Sequence, residues 1–340
     1  MDVCIIGGSG LISTAIVDHL RDRNVNVTCY NRGRSAVRYR DPAGVEVLVG
    51  DRKDRAAFEA TFADRTFDVV IDMISFTPDD ARSALRALRG RCGHYVHCST
   101  VCVTSGTPET IPTPESEPHH SIGGYGKDKG AIEDLLLAEH RDHDFPATIL
   151  RPSHSYGEGG VLIRPFGAWD SFTTFPSRLR AGRKLIVPGD GVGLWASCHV
   201  DDVAAGFATV LGRPEAFGEV YHVTGSENVT WDDYHRIVAE AVGGTFEPVH
   251  IPREVLCRIA RPDWCGGMNE IFAWPSIFDT SKLRALGWAG QTISWKDGAA
   301  RTVAWMDAQG STKPAEADGG YEDRLIAAWE AAVGPLEAVA

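Results

Sequence analysis

The chain has 340 residues, 43% hydrophobic and 24% charged, enough for one large or two medium soluble domains with real cores. Its formal net charge of -12, from 46 acidic against 34 basic side chains, repels phosphate backbones and argues against nucleic acid as a partner. No run reaches the ~18 apolar residues of a membrane span, and the eight cysteines show neither a Cys-x-x-Cys pair nor zinc-finger spacing. The expectation is therefore a cytoplasmic protein with reduced thiols, no metal and no membrane partner.

The N-terminus opens directly on a strand, "DVCIIGG", with no signal-peptide pattern before it. "STAIVDHLRDR" follows with Ile16, Val17 and Leu20 at helical spacing. "VNVTCY", "VEVLVGD", "FDVVIDMIS", "HYVHCST" and "PATILRPS" read as further short strands. Between them, "DRAAFEATFA", "PDDARSALRALRG" and "GKDKGAIEDLLLAEHRD" read as helices. Strands alternating with helices predict an α/β fold: a Rossmann-type, doubly wound parallel sheet covered on both faces. The rhythm changes near Arg151. We expect a dinucleotide-binding domain over 1–155 and a smaller mixed α/β substrate lobe over 156–308, partly returning to the first domain. Residues 309–319 read as a flexible linker before a closing amphipathic helix.

The first strand-helix turn carries Gly7, Gly8 and Gly10. Glycine has no Cβ and takes positive φ, so the backbone of Gly7, Ser9, Gly10, Leu11 and Ile12 can approach a pyrophosphate at a helix N-terminus. A third glycine of that pattern would fall at Ser13, whose side chain is small enough to let helix and strand pack. The second strand ends without the acid that usually holds the ribose of NAD. It offers Asn31, Arg32 and Arg34, and an arginine fork suits a 2′-phosphate, which favours NADP over NAD. Asp51, beside Arg52, is placed to meet the adenine end.

Tyr125 and Lys129 lie four apart, on one face of a helix. An ammonium near a phenol lowers its pKa from about 10, so such a tyrosine can move the proton that accompanies hydride transfer. Ser99 and Thr100 fall at the C-terminal end of a strand, where open α/β sheets bind ligands.

With these motifs in order along nearly the whole chain, the sequence resembles the extended short-chain dehydrogenase/reductases, in their epimerase/dehydratase-like branch. The matches are "GGSGLIS", "FDVVIDMIS", "HCSTVCV", "YGKDK", "LRPSHSYG", "CHVDDVA", "VYHVTGSENVTWDDY" and "FDTSKLRALGW". The resemblance implies that Tyr125 is the general acid/base, that Lys129 holds the nicotinamide ribose, and that Thr100 orients the reacting oxygen. It implies that Met73, Ile74, Ser75, Pro152 and His154 line the cofactor, with Cys102, His154 and Tyr156 on the substrate side. It also implies a sugar-like substrate and allows a homodimer. The "NRGR" turn looks most like a subgroup with chloroplast RNA-associated members.

Two departures bear on substrate. Val101 and Cys102 follow Thr100 where dehydratases carry two acids. Trp195 stands where nucleotide-sugar epimerases usually carry an arginine that clamps the diphosphate. It either stacks on the substrate or is a core aromatic, and Arg164, Arg178, Arg180 and Arg183 remain as alternative clamps. His119 and His120 read as a solvated loop, and Asp201 and Asp202 as a helix cap. The expected chemistry is hydride transfer at a secondary alcohol or ketone. The net reaction is epimerisation if the cofactor is retained and reduction if it exchanges. A non-enzymatic dinucleotide sensor or RNA-associated scaffold is the rival reading.

Overall fold

The computed structural model describes residues 1–34 and 38–337. The chain forms two compact units: 1–155 with 198–226 and 278–292, and 156–197 with 227–277 and 293–340.

The first unit is built on seven parallel strands. They are β1 (Asp2–Ile6), β2 (Asn26–Asn31), β3 (Val45–Val49), β4 (Val69–Asp72), β5 (Tyr95–Cys98), β6 (Ala147–Pro152) and β7 (Val220–Val223), in the spatial order β7-β6-β5-β4-β1-β2-β3. Register runs in step across the sheet, with Cys4 opposite Thr28 on one side and Val70 on the other. The inner strands are apolar because both faces are covered, while the edge strand β3 stays largely open to solvent. Val3 and Ile5 pack on one side with Val17 and Leu20 of α1 (Leu11–Arg21) and Phe207 of α5 (Val200–Val210). Cys4 and Ile6 pack on the other with Phe58 of α2 (Arg55–Thr61), Leu85 of α3 (Pro78–Leu88) and Ile132 of α4 (Gly124–His143). The alternation is the two-residue period of a strand read through a sheet with two cores. Strand order reverses between β1 and β4, which opens a crevice at their C-terminal ends.

The two return segments are joined to each other at Asp202. Asp202 accepts from the backbone N–H of Thr292 at 3.0 Å and from its hydroxyl, and its own carbonyl accepts from Trp288 Nε1 at 3.0 Å. The expected cap at Asp201 and Asp202 is corrected accordingly: His199 Nδ1 accepts from the Asp201 N–H and caps α5.

The second unit is smaller-stranded. Leu185–Pro188 pairs in parallel with Pro248–Ile251, and Trp195 and Ala196 pair antiparallel with Val229 and Asn228. Its core gathers Phe166, Ile186, Leu256, Trp264, Met268 and Ile326. Residues 309–319 are no linker. Lys313 N–H donates to Thr173 O at 2.9 Å, Ala315 is buried, and Glu316 pairs with Arg183. These groups tie the segment to the body that carries the closing helix Tyr321–Glu337.

None of the eight cysteines, all among the described residues, forms a disulfide; Cys257 is exposed, Cys92 and Cys102 are half-buried and the others buried. Among the described residues no helix is long and apolar enough to cross a membrane, and no group of three or more His, Cys, Asp or Glu is arranged to hold a metal.

Candidate active site

A cleft of about 490 Å³ runs along the C-terminal edge of the sheet in the first unit. It is lined from β2 through β1, β4 and β5 to β6. At about 4.8 Å per strand those four steps span roughly 19 Å, the reach of an extended dinucleotide.

The glycine turn forms one wall. Gly7 has φ +89°, and a Cβ there would sit 2.5 Å from Ile74 Cγ2. A Cβ on Gly8 would lie 2.4 Å from Cys29 Sγ. Both positions exclude any larger residue. Gly10 is the N-cap of α1 and offers no side-chain cap, so the first N–H groups of that helix face the cleft with the positive end of its dipole. Ser13 is buried against this turn. These features fit a dinucleotide pyrophosphate: the wall is a cradle that a Cβ would fill, and the helix end supplies donors.

At the β2 end, Asn31 is buried in the cleft floor, while Arg32 and Arg34 are exposed along its rim. No carboxylate lines the cleft among the described residues. Asp51 spends its side chain on the Lys53 N–H at 2.9 Å. Arg52 is turned into the protein: its guanidinium is buried, 2.6 Å from Asp72 Oδ2 and 2.8 Å from Asp80 O, over the Phe58 ring. Tyr95 donates to the same Asp72 at 2.7 Å. The expected cofactor contact at Arg52 is thus replaced by a buried ion pair beneath the sheet edge. Gly50, Gly33 and Tyr30 line the cleft here instead.

At the β4–β6 end, Tyr125 and Thr100 line the cleft together with Ser99. Tyr125 lies in the first turn of α4 and is 43% exposed, open to a substrate. The helix comes close because Gly126 follows: a Cβ there would be 2.3 Å from Cys102 O. Thr100 caps the 3₁₀ turn Val101–Thr104, its hydroxyl accepting from the Cys102 N–H at 3.2 Å. Cys102 is half-buried in that turn. Lys129, one turn after Tyr125, is buried, with Nζ 2.8 Å from Ser75 O and 2.6 Å from Cys98 O, beside the Phe76 ring. Burial lowers its pKa, which the charges of Cys98 and Asp72 partly offset.

Met73, Ile74 and Pro152 line the cleft as expected residues, while Ser75 stands behind the wall and contributes its carbonyl to Lys129. His154 does not line it. Ser153 and Ser155 do, because successive side chains of an extended segment point to opposite sides. Burial holds the His154 imidazole down to about 3. Phe76 and Ser155 line the cleft too, beyond the residues that the motifs pick out. The strand alternation after Arg151 is the signal that points to Ser155 beside Ser153.

A buried polar cluster supports this end. Glu133, one turn after Lys129, accepts from Ser99 Oγ at 2.5 Å and from Arg151 Nε at 3.0 Å, and its other oxygen lies 3.0 Å from His119 Nε2. Burial pushes this carboxyl up, but the bonds from His119, Arg151 and Ser99 outweigh it and hold it at about 2. His119 and His120 are therefore anchored rather than solvated; His120 bonds Ser105 O and Glu117.

The remaining expected substrate contacts belong to the core of the second unit. Trp195 is 1% exposed, stacked on Trp231 at 5.2 Å and edge-on to Phe272 at 4.7 Å, with Nε1 donating to Ser197 Oγ at 2.9 Å. Tyr156 is fully buried against Trp295. Neither presents a ring to a ligand from within that unit. Arg164, Arg178, Arg180 and Arg183 are engaged by Glu322, Asp323, Asp307 and Glu316.

The sheet, the glycine wall and the Tyr-Lys pair define a dinucleotide-binding α/β enzyme of the extended short-chain dehydrogenase/reductase type. Residues 3–224 match the model of the NAD dependent epimerase/dehydratase family, and the chain belongs to that family. It is 27% identical to 2′-dehydrokanamycin reductase of Streptomyces kanamyceticus, over 92% of this chain and 87% of that protein. It is 28% identical to chloroplast stem-loop binding protein of 41 kDa b of Arabidopsis thaliana, over 72% of this chain and 64% of that one. The fold matches a UDP-glucose 4-epimerase of Thermotoga maritima with TM-score 0.70 and 23% identity, covering 91% of this chain and 99% of the other.

Proposed function

We propose that this enzyme is an NADP(H)-dependent reductase of a ketone on a sugar-like substrate, with Tyr125, Lys129 and Thr100 as its reaction centre. The observation that carries the cofactor choice is the β2 end of the cleft, where, among the described residues, Arg32 and Arg34 line the rim and no carboxylate does. A carboxylate there would repel a 2′-phosphate; two guanidinium forks can grip it.

The nicotinamide, when bound, supplies the hydride to the carbonyl carbon. Tyr125 gives its hydroxyl proton to the carbonyl oxygen, so ketone becomes alcohol. The Lys129 ammonium favours the phenolate that remains, and the N-terminal position of Tyr125 on α4 acts in the same direction. Thr100, fixed at the head of its 3₁₀ turn, orients the oxygen. Val101 is buried and Cys102 is no acid, so the 3₁₀ turn lacks the groups an elimination needs. A reductase similar to this chain over 92% of its length acts, by its name, on 2′-dehydrokanamycin.

The test is a titration with NADPH and NADH, followed by loss of reduced-nicotinamide absorbance on adding keto sugars, with Tyr125→Phe as control. The expected result is tighter NADPH binding and turnover that Tyr125→Phe abolishes. An enzyme that keeps NAD bound through turnover and inverts an alcohol centre would be an epimerase and would refute the reductase reading.

A further inference from the structure

We infer that the substrate carries no diphosphate: the enzyme takes an uncharged or amine-bearing glycoside, recognised through hydroxyls and ring faces. This rests on the hydride-transfer reading above and specifies the class of molecule it acts on. The diphosphate of a nucleotide sugar is a dianion, and protein sites that take one from water supply guanidinium or ammonium groups that are not already neutralised.

In the second unit the buried guanidiniums are committed, and so are most of the exposed cations. Arg164 forms a fully buried bidentate pair with Glu322, with Nη1 and Nη2 at 2.7 and 2.6 Å. Arg178, also fully buried, holds Asp323 at 2.6 Å and the Lys184 carbonyl at 2.9 Å. Arg180 is bidentate on Asp307, at 3.1 and 2.6 Å. Arg183 lies between Glu316 and Asp323. The four arginines that could have clamped a diphosphate thus find their counter-charges in residues 307–323 of the same chain. Elsewhere in the unit, Lys184, Arg236, Arg253, Arg261, Lys296 and Arg301 each stand within salt-bridge distance of a carboxylate. Arg258, Lys313 and Arg324 are exposed surface side chains. Releasing Arg164 to a ligand would break its fully buried pair with Glu322, and releasing Arg178 would uncover Asp323 and leave a buried guanidinium to be re-paired, both unfavourable in a buried setting.

The first unit shows the same segregation. Its cleft has Arg32 and Arg34 at the β2 end, four strands away from β6. Around Tyr125 the lining is Ser99, Thr100, Ser153, Ser155 and the half-exposed ring of Phe76. Lys129 is spent on two carbonyls and Arg151 on Glu133. Lys127 is two residues on from Tyr125 and so falls on another helix face. Hydroxyls donate to and accept from a sugar ring, and an aromatic face covers its apolar side. Nothing in that set favours a dianion, and the net charge of -12 favours a neutral or cationic ligand at long range.

The deciding experiment loads the full chain with NADP, so that the cofactor site is filled, and titrates it with UDP by calorimetry. No saturable binding up to millimolar UDP is expected; a dissociation constant below about 100 μM overturns the inference. A second arm adds NADPH and compares keto forms of phosphate-free glycosides, aminoglycosides among them, with nucleoside-diphosphate keto sugars. Turnover of phosphate-free compounds at least a hundredfold faster supports the inference, and turnover of only the nucleotide-linked compounds overturns it. If neither set is reduced although NADPH binds, the hydride-transfer reading fails, and the UDP titration still decides the question of the diphosphate.

Discussion

Arg151 closes over Glu133 in a buried ion pair, with Nε 3.0 Å from Oε1, at the point where β6 meets α4. The same carboxylate takes the Ser99 hydroxyl, so one side chain joins the end of β5, the end of β6 and the helix carrying Tyr125 and Lys129. Glu133 touches no reacting atom; it sets the distances between those that do.

Glu133→Gln keeps the shape but removes the charge that binds Arg151. Breaking a buried pair costs about 3–5 kcal/mol, so folding is to be checked first, and Ser99→Ala provides a milder cut of the same link. Both variants should lower kcat, Glu133→Gln by about tenfold or more, with KM and NADP affinity within a few-fold of wild type. A loss shared equally by cofactor affinity and kcat would mark a merely structural role.

The two cleft-rim arginines are exposed, so replacing them should not disturb the fold. Arg32→Ala with Arg34→Ala should weaken NADP binding by about 1–3 kcal/mol or more and leave NAD little changed. Equal weakening of both dinucleotides, read by fluorescence titration, would remove these arginines from phosphate recognition.

Trp195 is a core residue, and its truncation should show as stability rather than affinity. Trp195→Ala opens a cavity against Trp231 and Phe272 and should cost about 3–5 kcal/mol of unfolding free energy. Denaturant melts provide the measurement. A variant as stable as wild type but with strongly raised KM would restore a substrate-stacking role.

Four fully buried imidazoles make the protein acid-sensitive. Burial holds His94 and His235 at about 4 and His222 at about 3, and pushes His97 well below its usual value. In the unfolded chain each titrates near 6.5. Below that pH the unfolded state binds the extra protons, so stability falls as pH drops from about 6.5 towards 4. The loss is about 2 kcal/mol at pH 5 for each of His94, His235 and His222, and His97 acts in the same direction. Tm should therefore decline steadily from pH 7 to 5, and a flat profile over that window would contradict neutral burial of this set. Glu133 acts later: its lowered pKa gives stability that is complete above about pH 4.3 and lost as pH falls towards 2.

The order of strands and helices through residue 155 could be read from the chain, because apolar period and glycine placement are local consequences of backbone geometry. The same holds for the turn at Gly7 and Gly10, where a missing Cβ is required by what approaches it, and for the four-residue spacing of Tyr125 and Lys129. The destinations of charged and aromatic side chains could not be read. Arg52 looked like a cofactor ligand until Asp72, twenty residues on, was seen to hold it. Arg164 and Arg178 looked like clamps until Glu322 and Asp323, more than a hundred residues later, were seen to neutralise them. Trp195 looked like a platform until Trp231 and Phe272 were found around it. Likewise the direction of one extended segment puts Ser153 and Ser155 on the cleft and turns His154 away from it. Local pattern sets what a residue can do, but burial and pairing with distant residues set which of those things remain available to it, and only the tertiary structure brings those partners together.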